Sequence, residues 1–272
     1  MLNRFLFNFL LCLSITSLSF SHNLTQADEN KDVAQKEVVK KTVETKPEVK
    51  KTSYYLIGNS LTWDTIPSHL DGDVQWHVDC GKSLPYIFAH PEKPCIKKSY
   101  LWTKALKEKQ YDFVSVQPHY GSTLKKDIET ISTWMEMQPK AVFIIHTGWA
   151  RQITRAEEYS SKKINGPMIH SRFYYAKLIS ELEKRYPQRK FRTTGAIDML
   201  DRIAKDIENK KAPFKNMGEL HRDAVHMKTE TGRYLMHNLM RITLGQPISD
   251  KHFEKTTEEH KKYFNKLLKA RK

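Results

Sequence analysis

A serine at the end of a strand, and an aspartate three residues ahead of a histidine, are the parts of a nucleophile and its base. The chain contains both. Ser60 closes Ser53-Tyr54-Tyr55-Leu56-Ile57-Gly58-Asn59-Ser60, and Asp223 and His226 lie in Leu220-His221-Arg222-Asp223-Ala224-Val225-His226. A serine hydroxyl attacks poorly at neutral pH until a neighbouring base takes its proton, and a carboxylate beside the imidazole holds that base in orientation. Their chain order is Ser, Asp, His, so only folding can unite them. Each piece also has a plainer reading. Serine is a favoured helix N-cap, and Asp-x-x-His commonly serves capping or surface hydrogen bonding.

Two more positions could assist such a serine. Gly81 follows the second strand, where a residue without Cβ can present its N–H to a ligand or simply make a turn. Gln117 follows the third strand in Ser115-Val116-Gln117-Pro118-His119-Tyr120-Gly121, and a side-chain amide there can donate to an oxyanion, as can N–H groups near Ser60. Asn59, His119, Tyr120, His146, Trp149 and Arg151 lie near the same strand ends and are the candidates for substrate contact. Trp63, Trp76, Tyr120 and Trp149 can stack on sugar rings, with core packing as the alternative.

The elements that must position these residues alternate. Strands are expected at 54–58, 74–78, 112–116, 141–146 and 191–194. Helices are expected at 100–109, 124–137, 169–186, 196–209 and 229–244, the last stopped by Gly245-Gln246-Pro247. Residues 62–70 can begin a helix, and 149–167 read as a surface excursion. Phe173, Ala176, Leu178, Leu182 and Tyr186 mark one side of the 169–186 helix. Phe253, Thr257, His260, Phe264, Leu267 and Leu268 recur at helical spacing near the end, on a helix that either packs on the domain or uses its lysines on a membrane surface. Strands alternating with helices predict an α/β fold with a mainly parallel sheet of five strands, covered on both faces. Right-handed connections put the strand ends on one rim.

Residues 1–21 carry Arg4, an apolar run from Phe5 to Leu13 and a small-residue stretch ending at Ser21, the pattern of a secretory signal peptide. A lipid anchor on Cys12 is the alternative. Residues 22–52 are rich in Lys, Glu, Val and Thr and too poor in apolar groups to fold alone, so they read as a charged, disordered linker. The folded domain is then 53–272. No later stretch reaches the roughly 18 apolar residues of a membrane span. Export to the periplasm or outside the cell places the thiols in an oxidising compartment, where Cys80 and Cys95 are expected to pair. A net charge of +15 for the chain, and +13 within 53–272, favours anionic partners. For an exported protein an anionic polysaccharide ranks above nucleic acid, which is not expected as a partner. A generally basic surface is the simpler alternative.

Gly58-Asn59-Ser60-Leu61, a glycine after the second strand, an amide after the third and Asp223-x-x-His226 together resemble the SGNH/GDSL hydrolase superfamily, over about residues 54–245. The resemblance implies a flavodoxin-like three-layer α/β/α sandwich and an ester hydrolase that needs neither metal nor cofactor. It would make Ser60 the nucleophile, His226 the base and Asp223 its orienting partner. The N–H groups of Ser60 and Gly81, with the Gln117 amide, would form the oxyanion hole. The substrate would be an O-acyl, preferentially acetyl, ester on carbohydrate.

This chain departs from the family at two points. Asn59 stands where the family has aspartate, and Gln117 lacks the Gly-x-Asn-Asp frame. A lost oxyanion donor costs about 10²–10³ in rate, so a non-catalytic glycan-binding protein of the same fold is the competing expectation. The Gly-x-Ser-x-Gly elbow of α/β-hydrolases is not matched, because Thr62 stands at the second glycine. None of the 12 histidines forms His-Glu-x-x-His.

Overall fold

The computed structural model describes residues 51–271. The expected signal peptide, Cys12 and all but the last two residues of the linker lie outside them. Five strands form one sheet: β1 (Ser53–Gly58), β2 (Asp73–Val78), β3 (Phe113–Val116), β4 (Val142–Ile145) and β5 (Phe191–Thr193). All pairings are parallel, in the order β2-β1-β3-β4-β5. This is the doubly wound, flavodoxin-like order, whose ligand crevice lies outside the carboxyl ends of the strands where the winding direction reverses.

The helices are α1 (Ser60–Trp63), α2 (Leu84–Ala89), α3 (Trp102–Glu108), α4 (Leu124–Met137), α5 (Arg155–Ser160), α6 (Arg172–Arg185), α7 (Ala196–Glu208), α8 (Gly232–Leu244) and α9 (Glu258–Lys269). All six residues of β1 are buried, as a strand covered on both faces requires. Its alternate side chains enter two clusters. Tyr55 and Ile57 join Val114, Val116, Phe143 and Ile145 in the larger core, with Trp134 of α4 and Leu178 of α6. Tyr54 and Leu56 meet Ile144 and the α8 residues Met240 and Leu244 on the other face.

Local chemistry sets the helix ends. Thr123 and Ser171 accept from N–H groups of the first turns of α4 and α6, each satisfying an otherwise orphaned donor. Gly245, at φ +84°, stops α8 in the left-handed conformation that glycine adopts without strain. The buried face of α6 is Tyr174, Tyr175, Leu178 and Leu182, while Phe173 is exposed. The expected apolar side was thus rotated, because two tyrosines use their aromatic bodies in the core and their hydroxyls in buried hydrogen bonds. The presumed excursion at 149–167 contains α5. The final helix, α9, packs Phe264 and Leu268 into the larger core. No helix among the described residues is long and apolar enough to cross a membrane.

Register levels the strand ends. Gly58 pairs with Val78, Ile57 with Val116, Val116 with Ile145, and Ile145 with Thr193. The residues that follow each strand therefore share one rim. On that rim Cys80 and Cys95 form a disulfide across a separation of 15 residues, tying the Gly81 turn to the segment after α2. Cross-linking a loop of that length contributes about 3 kcal/mol by restricting the unfolded chain. Cys95→Ser should lower stability by that order, read as a shift of the urea midpoint that excess reductant reproduces in the wild type.

Candidate active site

The serine turn is built by close approach. A Cβ on Gly58 would lie 2.1 Å from Thr62 Oγ1 and 2.8 Å from the Cβ of Gln117, so only glycine lets β1 end this near α1. Asn59, not Ser60, caps the helix: its Oδ1 accepts from Leu61 N–H at 2.9 Å. Its Nδ2 donates to the Lys82 carbonyl at 3.2 Å, and its backbone N–H donates to Gln117 Oε1 at 3.2 Å. Asn59 is thereby consumed in holding the turn. Ser60 becomes the first helical residue, its side chain half-buried and facing out from the rim.

Across the rim, the loop before α8 brings in the histidine. Asp223 Oδ1 accepts from the N–H groups of Val225 and His226 at 2.9 and 2.8 Å. Its Oδ2 lies 2.8 Å from His226 Nδ1, and His226 Nε2 lies 2.8 Å from Ser60 Oγ. Desolvation works against the Asp223 charge, but the two N–H groups and the imidazole outweigh it and hold the carboxyl well below the usual carboxylate range. An ionised carboxylate only accepts, so the neutral imidazole carries its proton on Nδ1 and offers the bare Nε2 to the serine O–H. A serine hydroxyl, a base and an orienting carboxylate stand in line.

What holds this loop in register is a fully buried carboxylate, Asp64. It accepts from Arg222 Nη1 at 3.2 Å, Arg233 Nε at 2.9 Å and Met227 N–H at 2.7 Å. Because Asp64 follows α1 directly, one side chain joins the serine turn to the histidine loop. Trp149 Nε1 donates to the Val225 carbonyl at 2.7 Å, and Gln152 clamps the Asp223 and Ala224 carbonyls at 2.8 and 3.0 Å. Asp64, Gln152 and Arg233 escaped sequence reasoning, since nothing local marks a contact across 71 to 169 residues. Arg222 sits inside the Asp-x-x-His segment and offered the one readable signal, a cation next to the motif.

A cavity of about 340 Å³ opens at the serine. Ser60, Gly81, His119, Tyr120, Arg151 and His226 line it. Gly81 adopts φ +68°, and a Cβ there would meet nothing within 4 Å. Its glycine is thus required by backbone conformation rather than by crowding. The N–H groups of Ser60 and Gly81 have no partner among the described residues.

The remaining expected site residues are elsewhere. Gln117 is fully buried beneath the turn. Its Oε1 accepts from Asn59 N–H and Thr62 Oγ1, and its Nε2 donates to the Pro118 carbonyl at 2.7 Å. Reversing the amide would oppose donor to donor and acceptor to acceptor, so its orientation is settled, and the side chain does not line the cavity. His146 is buried, with Nδ1 on Thr194 Oγ1 at 2.9 Å, and burial lowers its pKa to about 4. Trp149 is fully buried. Asn59, His146 and Trp149 therefore support the site from below instead of meeting a ligand. Trp63 and Trp76 pack against each other, ring centroids 5.8 Å apart. Among the described residues no group of three or more His, Cys, Asp or Glu side chains could hold a metal ion.

With this geometry in view, the chain can be set beside known proteins. It is similar to solved lipase structures. A GDSL-like lipase from Parabacteroides merdae aligns over 72% of this chain and 96% of its own, at 14% identity and a TM-score of 0.43. A lipase/acylhydrolase from Enterococcus faecalis aligns over 73% of this chain and 98% of its own, also at 14% identity, with a TM-score of 0.44. No family model matches the chain, and no curated protein matches it.

Proposed function

We propose that the protein is an exported SGNH-type serine esterase that removes O-acyl groups, preferentially acetyl, from carbohydrate. The observation that carries this reading is the unbroken line Ser60–His226–Asp223, with both side-chain links at 2.8 Å, opening on a cavity at the switch point of the sheet. Ser60 Oγ attacks the ester carbonyl carbon while His226 Nε2 takes its proton, and Asp223 stabilises the imidazolium. The N–H groups of Ser60 and Gly81 receive the oxyanion. Collapse breaks the bond to the sugar oxygen, which leaves with the proton from His226. A water molecule, deprotonated by the same nitrogen, then hydrolyses the acyl-serine and releases the acid.

A cavity of about 340 Å³ suits a small acyl group and one sugar unit. The disulfide accords with an oxidising compartment. A serine-directed fluorophosphonate tests the mechanism: the intact protein should gain one adduct, located at Ser60 by peptide mass spectrometry. A folded protein that takes no label and hydrolyses neither 4-nitrophenyl acetate nor acetylated xylan would be a glycan-binding protein instead.

The glycan is proposed to be acidic. A groove of about 350 Å³ adjoins the cavity through Gly81 and Tyr120, and Lys82 and Lys126 line it, with Arg151 on the cavity side. Replacing both lysines by glutamate should raise KM at least about tenfold for an acetylated uronic-acid polymer, a hydrogen bond to a charged group being worth roughly 1.5–3 kcal/mol. Turnover of uncharged 4-nitrophenyl acetate should be unchanged, and equal KM changes for neutral and acidic polymers would sink the assignment.

A further inference from the structure

The amide expected to complete the oxyanion hole is fully buried beneath the turn, yet another donor reaches the cavity two residues later. We propose that His119 supplies the third oxyanion donor through Nε2–H, and that a buried relay from Gly148 through Tyr175 and His170 fixes that tautomer. This role rests on Ser60 being the nucleophile.

The relay is traced by counting protons. Gly148 N–H donates to Tyr175 Oη at 2.9 Å, so the tyrosine oxygen accepts there and must place its own proton elsewhere. Two acceptors are in reach: His170 Nδ1 at 2.9 Å and the Pro118 carbonyl at 3.4 Å. The Pro118 carbonyl already accepts from Gln117 Nε2 at 2.7 Å, and the shorter contact is to the imidazole. Tyr175 therefore donates to His170 Nδ1. A neutral imidazole has one N–H, which leaves the His170 proton on Nε2. That atom lies 3.2 Å from His119 Nδ1, which must accept. The His119 proton is then on Nε2, the ring nitrogen without a partner among the described residues, on a ring that lines the cavity beside Ser60 and Gly81.

Both rings stay neutral, as the counting requires. Burial drives His170 far below the ordinary histidine range. Burial, then His226 and Arg151, lowers His119 to about 4. A neutral imidazole donates to a developing alkoxide without giving up its proton, and a donor held in place costs no reorganisation during reaction. The relay is also tightly enclosed: a Cβ on Gly148 would lie 2.5 Å from His170 Cε1. In this reading His119 is a catalytic residue, whereas His170 and Tyr175 are positioning residues. Gln117 then has one task, supporting the turn.

Two measurements on the full chain test the assignment. Long-range ¹H–¹⁵N spectra of histidine-labelled protein, with the His119 signals identified by their loss in His119→Ala, should show the Nε2–H tautomer. Tyr175→Phe should move His119 toward a mixture of tautomers. With 4-nitrophenyl acetate, His119→Ala should lower kcat by about 10²–10³ with KM changed less than about threefold. His119→Gln, whose amide nitrogen extends toward the Nε2 position, should recover at least about tenfold of that loss. An Nδ1–H tautomer in the wild type overturns the proposal whether or not esters are cleaved. An active wild type whose His119→Ala variant keeps its kcat overturns it and leaves the Ser60 reading intact. A folded wild type with no esterase activity overturns the Ser60 reading and takes the donor role with it.

Discussion

Ser60→Ala and His226→Ala are each expected to lower kcat by about 10⁴- to 10⁶-fold, and the double variant by no more than the worse single one. The reason is that the two groups make one device. Without the imidazole the hydroxyl has nowhere to put its proton, and without the hydroxyl the imidazole has nothing to activate. Asp223→Ala should cost less, about 10⁴-fold, because its carboxylate orients the ring without touching the ester. Asp223 is also half exposed, so water can partly replace it. Its folded pKa is depressed, so the orienting charge is present above the ordinary carboxylate pKa and lost only as pH falls through the lower folded value. Acidification through the ordinary carboxylate range should therefore leave the Asp223 charge in place, and kcat/KM should show no inflection there that Asp223→Ala abolishes. An inflection in that range that Asp223→Ala abolishes would mean that the Asp223 carboxyl is not held below it. Residual activity common to all three variants would report the oxyanion donors alone.

The largest effect on stability is expected at Asp64, a residue with no part in the chemistry. Its carboxylate is fully buried and takes hydrogen bonds from two guanidinium groups and one N–H. Asp64→Ala would leave the Met227 N–H buried without an acceptor and Arg233, at 19% side-chain exposure, without its counter-charge. Breaking a buried pair from one side typically costs about 3–5 kcal/mol. Arg222, at 41% exposure, can turn to water and softens the loss. A urea titration should show the midpoint falling with the slope unchanged. Asp64→Asn keeps one acceptor but no charge and should fall between. Both variants should lose kcat even where they remain folded, since the same carboxylate sets the height of His226 above Ser60. Normal turnover in a destabilised Asp64→Ala protein would separate stability from loop position and refute the link.

The sequence showed most clearly what depends on period and punctuation. Helix α4 was expected at its observed limits, because Thr123 caps it and seven buried side chains give it a regular face. All five strands were foreseen to within a residue or two at either end, and the parallel arrangement followed from their alternation with helices. Helix α1 is a single turn, too short to carry a period, and α5 buries only Tyr159, so neither stood out. Side-chain direction was the harder problem. Gln117, His119 and Trp149 were all placed correctly at the rim, yet which of them faces a cavity depends on partners far away in the chain. Gln117 turns under because Asn59 and Thr62, 58 and 55 residues away, donate to its amide oxygen, and Trp149 does so because the Val225 carbonyl takes its N–H. Distant pairings of this kind leave no local trace in the order of residues.

The bond between Ser60 and His226 spans 166 positions of the chain, and Asp64 reaches across 158 to 169. Contacts this remote in sequence close late, because the entropy of joining distant segments must be met before they add any stability. On a ribosome, a chain grown to the end of α7 already holds every strand of the sheet and the whole serine turn, but no base. The hydroxyl is therefore made long before it can be activated. On the proposed mechanism, arming waits on the arrival and docking of the loop between α7 and α8, so a working nucleophile would be acquired in one late step rather than by degrees.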